Sequence, residues 1–243
     1  NVVIGGNTNA IQGRSTTTNL LKSNLVGGGD NNTILDAEKG AIIGGNLNII
    51  EKGGFTGIFA GQSNKTYNSF CSFIAGGSNN CILGQNNRAG IIGGSGNVIG
   101  SNDTTGGYSS ILGGLSNQLS GTSNSIIGGF SNIVGQGKCS NIGGTKVHNS
   151  VSVGGLGNTI DNCNAAIIGG TSNVILSGTT VTGTDHARSV IAGGTQITSV
   201  SSDMLHASRL FLSAGGLPTS NPGVPGVVYL SAGASGTFLA IST

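Results

Sequence analysis

Residues that could perform acid–base or nucleophilic chemistry are few and dispersed along this chain. Eight Asp and Glu and three His occur among 243 residues, whereas an active site needs reactive groups that converge. Asp185-His186 with nearby Ser189 contains the residue types of a catalytic triad, but triad members rarely come from sequence neighbours. We therefore predict that the chain is not an enzyme and has no catalytic residue. A carboxylate pair formed across subunits, drawing on Asp161 or Asp185, is the alternative.

Cofactor and metal chemistry also lacks a recognisable pattern. No HExxH motif and no regular Asp repeat are present, and no Gly pair is followed by the GK[ST] sequence of a phosphate-binding loop. The four Cys residues have no CxxC spacing, which favours small buried side chains over a disulfide or a metal site. We predict neither a cofactor nor a metal.

Three long insertions are candidates for recognition, because loops on a rigid scaffold often carry binding residues. Arg14, Tyr108 and Arg188 are the candidate binding residues, since they can stack on or hydrogen-bond a host cell-surface glycan. The alternative is that these loops are spacers without a ligand. The insertions run from Gln12 to Asn24, from Gly100 to Ser109 and from Leu176 to Ser189.

The composition excludes several broad classes of protein. A net charge of +2, with 7% charged residues, lacks the clustered basic residues of a nucleic-acid-binding protein. No apolar run approaches the length of about 18 residues that a membrane span needs, so we predict no membrane insertion. The 47 Gly occur largely in pairs beside only 3 Pro, unlike collagen, and the 36% hydrophobic content is too high for a disordered chain.

A repeat of about 15 to 17 residues dominates the sequence. Each copy has two apolar residues, a Gly pair, two variable residues, Asn, one variable residue and an apolar residue. Asn follows the first Gly by four positions in ten of twelve copies, and the copies beginning at Gly143 and Gly193 have Val147 and Ile197 instead. The first position of the Gly pair falls at residues 5, 28, 44, 60 (Ala60), 76, 93, 113, 128, 143, 154, 169 and 193.

This repeat predicts an all-β fold of stacked coils over residues 1–201. Ile and Val favour strands, and Gly pairs permit turns that other residues disfavour. Each coil would contain two short strands, and stacking would form a parallel β-roll or β-solenoid. Stacking would also place the Asn side chains in a hydrogen-bonded ladder. The predicted ladder contains Asn48, Asn64, Asn80, Asn97, Asn117, Asn132, Asn158 and Asn173.

The two apolar residues before each Gly pair predict a homotrimer. Pairs such as Ile42-Ile43 and Ile91-Ile92 recur along the chain, and adjacent strand residues point to opposite faces. A strand that is apolar on both faces is typically buried on both. One face can line the interior of the coil, but the other needs a partner. Three copies around one axis would supply that partner.

The repeat resembles a known family. Residues 149–154 (NSVSVG) and 124–128 (NSIIG) are similar to the repeats of YadA-like trimeric adhesin heads. The resemblance covers roughly residues 1–200 and implies a trimeric left-handed parallel β-roll. The chain departs from that family in its Gly pairs, in Asn where Ala is common, and in its insertions. Similar Gly-Gly-Asn repeats occur in phage and large-virus fibre proteins.

The end of the chain differs from the repeat. All three Pro lie between residues 215 and 229, where residues 217–223 (LPTSNPG) resemble a segment near the C termini of phage tail-fibre and other virion proteins. We predict that residues 202–243 form a C-terminal β cap or trimerisation segment, because solenoids need capped ends.

These features favour a structural shaft of a viral host-attachment fibre, from a phage or a large virus, on the virion surface and outside the host cell. Its expected partners are two further copies of the chain, other fibre or virion proteins, and a host glycan. The head of a bacterial trimeric autotransporter adhesin is the main alternative. An ice-binding solenoid, which needs aligned Thr arrays, and a fibre-borne polysaccharide depolymerase are less favoured.

Overall fold

The structure, a computed structural model, describes residues 1–13, 23–84, 88–100, 107–135, 149–176, 189–199 and 205–207, and the backbone of 228–233 and 236–241. Every regular element in these ranges is a β-strand.

The repeat region contains 23 short strands. In chain order they are β1 Val2–Val3, β2 Ala10–Gln12, β3 Leu25–Val26, β4 Thr33–Leu35, β5 Ala41–Ile42, β6 Ile49–Glu51, β7 Gly57–Ile58, β8 Lys65–Tyr67, β9 Phe73–Ile74, β10 Cys81–Leu83, β11 Gly90–Ile91, β12 Val98–Gly100, β13 Ser110–Leu112, β14 Gln118–Leu119, β15 Ser125–Ile127, β16 Ile133–Val134, β17 Val151–Val153, β18 Thr159–Asp161, β19 Ala166–Ile168, β20 Val174–Leu176, β21 Val190–Ala192, β22 Thr198–Ser199 and β23 Leu205–Ala207.

Alternate strands belong to two parallel sheets. The odd-numbered strands form a 12-stranded sheet, and the even-numbered strands form an 11-stranded sheet. Each coil therefore supplies one strand to each sheet, and Ala41 pairs with Gly57 sixteen residues further on. The predicted parallel β-solenoid with coils of about 16 residues is confirmed.

Each coil has four sides. The odd-numbered strand is followed by an isolated β-bridge, the first bridge, then by the even-numbered strand, and last by a segment that we call the second bridge and that forms β-bridges at Glu38, Gly54 and Phe70. Asn46↔Gln62 is an example of the first bridge, and Glu38↔Gly54 is an example of the second. The sides meet at four corners, and residues at these corners adopt left-handed backbone conformations. In the coil from residue 57 to 72 these are Gly61, Ser63, Asn68 and Cys71, with φ of 95°, 55°, 50° and 51°.

The core lies inside the coils and consists mainly of one Ile from each strand. Strand residues alternate between inside and outside, so Ile42 is buried whereas the next residue, Ile43, is exposed. The two apolar residues before a Gly pair thus point to opposite sides of the first sheet. The fully buried Ile residues of the two sheets include Ile42, Ile50, Ile58, Ile74, Ile82, Ile91, Ile99, Ile111, Ile126, Ile160, Ile167 and Ile191.

One repeat identified in the sequence forms no coil of this ladder. The sequence pattern placed a copy at Gly143, but β15 pairs directly with β17, and Phe130 bridges directly to Leu156. That copy has Val147 where the repeat has Asn, but the absence of Asn does not by itself prevent a coil, since the copy at Gly193 has Ile197 and contributes β21 and β22. The copy at Gly143 lies outside the described residues.

The interior contains a polar section at β8. Thr66 stands between Ile50 and Ile82 in the register of the second sheet. Its hydroxyl oxygen is buried and has no hydrogen-bond partner among the described residues. A buried hydroxyl without a partner costs about 1–3 kcal/mol of stability.

We expect Thr66→Val to raise the free energy of unfolding by about 1 kcal/mol, because it removes this hydroxyl and keeps the side-chain shape. Thr56→Val is the matched control. The Thr56 hydroxyl is also buried, but it donates to the Gly54 and Ser69 carbonyls at 3.2 and 3.1 Å, so its loss should destabilise the fold. Urea unfolding of both variants measures the difference, and equal effects would contradict the assignment.

The chain divides into two compact units, Asn1–Ala207 and Ser208–Thr243. The second unit contains β24 (Val228–Gly233) and β25 (Gly236–Ile241), which pair in antiparallel register from Val228↔Ile241 to Gly233↔Gly236.

Candidate interaction surface

The Asn residues of the repeat stand above one another inside the solenoid, and those from Asn32 to Asn173 are fully buried. The Oδ1 atom of Asn97 accepts hydrogen bonds from the backbone nitrogen and the Nδ2 atom of Asn117, both at 3.1 Å. The Nδ2 atom of Asn97 donates to the Gly114 carbonyl at 3.1 Å and to Oδ1 of Asn80 at 3.2 Å. Each Asn therefore connects its coil to the coils on both sides.

From Asn9 to Asn173, the Oδ1 atom of each ladder Asn accepts a hydrogen bond from the backbone nitrogen at the equivalent position of the next coil. At the end of this series, the backbone nitrogen of Ile197 donates to Oδ1 of Asn173 at 3.0 Å. The Asn side chains also hold the Gly corner, the turn formed by each Gly pair between the odd-numbered strand and the first bridge. Asn48, for example, donates to the Gly61 carbonyl at 3.0 Å. The ladder is thus part of the scaffold, and its buried side chains are not accessible to a ligand.

Tyr108 is exposed at the corner between the second bridge and the odd-numbered strand. The Arg88 guanidinium lies 5.0 Å from the centre of its ring, and Nη1 of Arg88 donates to the Tyr108 hydroxyl at 2.9 Å. Arg14 and Arg188, the other two candidate binding residues, lie outside the described residues. Sequence reasoning missed Arg88, because its contact with Tyr108 follows only from the alignment of successive coils.

A second cation and ring pair occurs at the same corner. Nζ of Lys39 lies 4.1 Å from the centre of the Phe55 ring, and Phe55 follows Lys39 by one coil. At exposed sites such pairs contribute about 0.5–1 kcal/mol each. They cover aromatic rings that the coil cannot bury.

The described residues contain no group of three or more His, Cys, Asp or Glu side chains placed to hold a metal ion. Asp161 ends β18, and Asp185-His186 lies outside the description. The expectation of small buried Cys side chains is wrong for Cys71, which is an exposed free thiol. Cys163 is buried as expected, but it is in a disulfide, which the sequence did not favour. Cys139 lies outside the described residues. Cys81 is free and partly buried, and desolvation raises the pKa of its thiol against the opposing effect of Lys65.

An exposed apolar column runs along the outside of the first sheet. It is formed, from the coil of β5 onward, by the residue directly before each Gly corner, and we call it the outer column. In the preceding coil this position is Gly27. Ile43, Phe59, Ile92 and Ile168 are 47%, 50%, 51% and 52% exposed. The outer column comprises Ile43, Phe59, Ala75, Ile92, Leu112, Ile127, Val153, Ile168 and Ala192.

Residue size is balanced across this outer face. In most coils where the outer column has a large residue, the outward residue two positions earlier is small, as in Gly57 with Phe59, whereas β17 has Val at both positions. In the coil of β9 the order is reversed, with Phe73 followed by Ala75. The Phe73 ring lies over Gly90 of the next coil, where an added Cβ would come within 2.8 Å of a ring carbon. Small residues thus give the large side chains room to lie along the sheet.

The insertions begin away from the outer column. Within Asn1–Ala207, each segment outside the described residues follows an even-numbered strand, so it begins at the corner between that strand and the second bridge. Two sides of the coil separate this corner from the Gly corner in either direction. The segments are residues 14–22, 85–87, 101–106, 136–148, 177–188 and 200–204.

The fold and surface define a parallel β-solenoid repeat protein with an exposed apolar column along one sheet. The chain matches no protein-family model, and no curated protein is significantly similar to it in sequence. No helix long and apolar enough to cross a membrane occurs among the described residues.

Proposed function

We propose that this chain is a shaft segment of a viral host-attachment fibre, in which three copies pack through their outer columns. The observation that carries the proposal is the outer column itself. Large apolar side chains recur there about half exposed, although a monomer with a continuous apolar surface of this kind is prone to association. A second copy of the chain would remove these side chains from water.

The rigid scaffold suits a mechanical role. Successive coils are joined by the backbone ladders of both sheets, by the bridges and by the Asn ladder. Trimer formation would place the outer columns near a shared axis. The insertion corner, on the opposite side of each coil, would then face outward, where the inserted segments can meet other fibre or virion proteins or a host glycan.

The head of a bacterial trimeric adhesin is the second candidate function, because it requires the same solenoid and the same trimer. An antibody against the chain distinguishes the two. Labelling of purified virus particles supports the fibre, whereas labelling of a bacterial surface supports the adhesin.

The oligomer is tested by Ile92→Glu, which places a charge in the middle of the outer column. We expect the unsubstituted chain to give a native mass of about three times 23.8 kDa and Ile92→Glu to give a monomer. A buried unpaired carboxylate costs several kcal/mol at each contact. Native mass spectrometry measures both species.

Leu83→Glu is the matched control. Leu83 is a partly exposed residue on the outside of the second sheet, in the same column as Glu51 and Tyr67. Glu already occurs in this column, so this variant should remain trimeric. Circular dichroism checks that both variants keep their β-structure. A monomeric unsubstituted chain, or a trimer that persists in Ile92→Glu, would contradict the proposal.

A further inference from the structure

The residues of the first bridge differ in polarity from one part of the solenoid to another. We call the bridge residues that directly follow the Gly corner the side column. From Asp30 to Ser95 the side column is polar, it then becomes apolar in three successive coils, and it ends with Thr171 and Thr195. The side column comprises Asn7, Asp30, Asn46, Gln62, Ser78, Ser95, Leu115, Phe130, Leu156, Thr171 and Thr195.

The apolar part of the side column is exposed. Leu115, Phe130 and Leu156 are 43%, 44% and 45% exposed, although large apolar residues in this position have no role in the core of the coil. They form one uninterrupted row, because Leu115 bridges to Phe130 and Phe130 to Leu156.

This row lies beside the outer column. In the same coils the outer column contains Leu112, Ile127 and Val153, which pair in register across β13, β15 and β17. Only the Gly corner separates the two columns within a coil. The coils of β13, β15 and β17 therefore present two adjacent apolar columns that meet at one corner, whereas the coils of β5, β7, β9 and β11 present an apolar outer column and a polar side column.

Two apolar faces that meet at one corner are what each copy needs in order to contact both neighbours in a three-fold assembly. In a closed ring of three, each copy uses one face toward one neighbour and a different face toward the other. We infer that the side column over Leu115, Phe130 and Leu156 receives the outer column of a neighbouring copy, so that the trimer is dry and closely packed there. This inference rests on the proposed trimer.

The polar part of the side column fits a different contact. Asn46, Gln62 and Ser78 can hydrogen-bond water, and Oγ of Ser78 donates to Oγ of Ser95 at 3.0 Å. An outer column facing these residues leaves their polar groups in need of solvent. The contact between copies is therefore wetter over residues 43–95 than over residues 112–156.

Single tryptophan residues test this difference, because the chain has no Trp of its own. Phe130→Trp places the reporter in the apolar part of the side column, and Gln62→Trp places it in the polar part. Neither change adds a charge. In the 243-residue chain we expect the Phe130→Trp variant to emit at shorter wavelength and to be quenched by acrylamide several-fold more weakly than the Gln62→Trp variant.

A third variant identifies what covers the reporter. Adding Leu112→Glu to Phe130→Trp breaks the outer column, and in the resulting monomer the tryptophan should become as accessible to acrylamide as in Gln62→Trp. Shielding that persists in the monomer would mean that the chain covers Phe130 itself, which overturns the inference.

Native mass spectrometry of the same samples distinguishes failure of the proposed trimer from failure of the inference about the side column. A trimer in which both reporters are equally accessible overturns the inference and leaves the trimeric shaft intact. A monomeric unsubstituted chain overturns both. A trimer with a shielded reporter in Phe130→Trp and an accessible one in Gln62→Trp supports both.

Discussion

Gly94→Ala should lower the free energy of unfolding by roughly 3–5 kcal/mol, combining left-handed strain with a steric clash. Gly94 has a φ of +81°, and a Cβ at this position would overlap the backbone oxygen of Gly114 and the side-chain Nδ2 of Asn97. The backbone of the next coil cannot move away without breaking the first bridge. Thermal or urea unfolding, followed by circular dichroism, measures the loss.

The first residue of the same Gly pair is the matched control. Gly93 also has a positive φ, +71°, but no atom lies within 4 Å of its added Cβ. Gly93→Ala should therefore cost only the backbone strain, about 1–2 kcal/mol. Equal losses in the two variants would show that backbone strain alone determines the cost, and would contradict the role assigned to close coil stacking.

The two positions of the Gly pair also differ in how strictly the sequence keeps Gly there. Ala60 occupies the first position of one Gly pair, whereas the second position is Gly in every described coil. Gly61, the residue after Ala60, shows why. An added Cβ there would overlap the backbone oxygen of Gly77 and Nδ2 of Asn64, as at Gly94. The second Gly is required by the distance between coils, and the first is a conformational preference.

Much of the solenoid could be predicted from the sequence because its strongest signals are local. The apolar pairs, the Gly pair and the Asn recur with a period that matches one coil, and alternation in a strand assigns Ile42 to the inside and Ile43 to the outside. The second bridge and its corners could not be predicted in this way. Lys39, Phe55 and Cys71 occupy one corner with the same left-handed backbone, yet their side chains have nothing in common.

The surface was less predictable than the core for the same reason. Contacts between exposed side chains depend on register across coils, so the pairing of Arg88 with Tyr108 follows only once the coils are aligned. The insertion between them also concealed this register, since Arg88 and Tyr108 are 20 residues apart. The trimer, the C-terminal cap and glycan binding by Arg14 or Arg188 stay predictions.

Asn80→Ala is expected to lower the free energy of unfolding by roughly 2–4 kcal/mol, because it leaves buried polar groups without partners. Oδ1 of Asn80 accepts from the backbone nitrogen of Asn97 at 3.0 Å, and Nδ2 of Asn80 donates to the Gly94 carbonyl at 3.1 Å. The Gly94 carbonyl keeps a second donor, the backbone nitrogen of Ser78, so the unpaired Asn97 nitrogen should dominate the loss.

The neighbouring Asn79 provides the control for Asn80. Asn79 is exposed and left-handed, with φ of +54°, and Ser occupies the equivalent position as Ser63 and Ser116 in other coils. Asn79→Ser should change the free energy of unfolding by less than about 0.5 kcal/mol, as is usual for a surface substitution. Amide hydrogen exchange adds a local test, because the Asn97 backbone amide should lose protection in Asn80→Ala and keep it in Asn79→Ser. Unchanged protection in both variants would mean that the strands alone hold successive coils together, with no need for the Asn ladder.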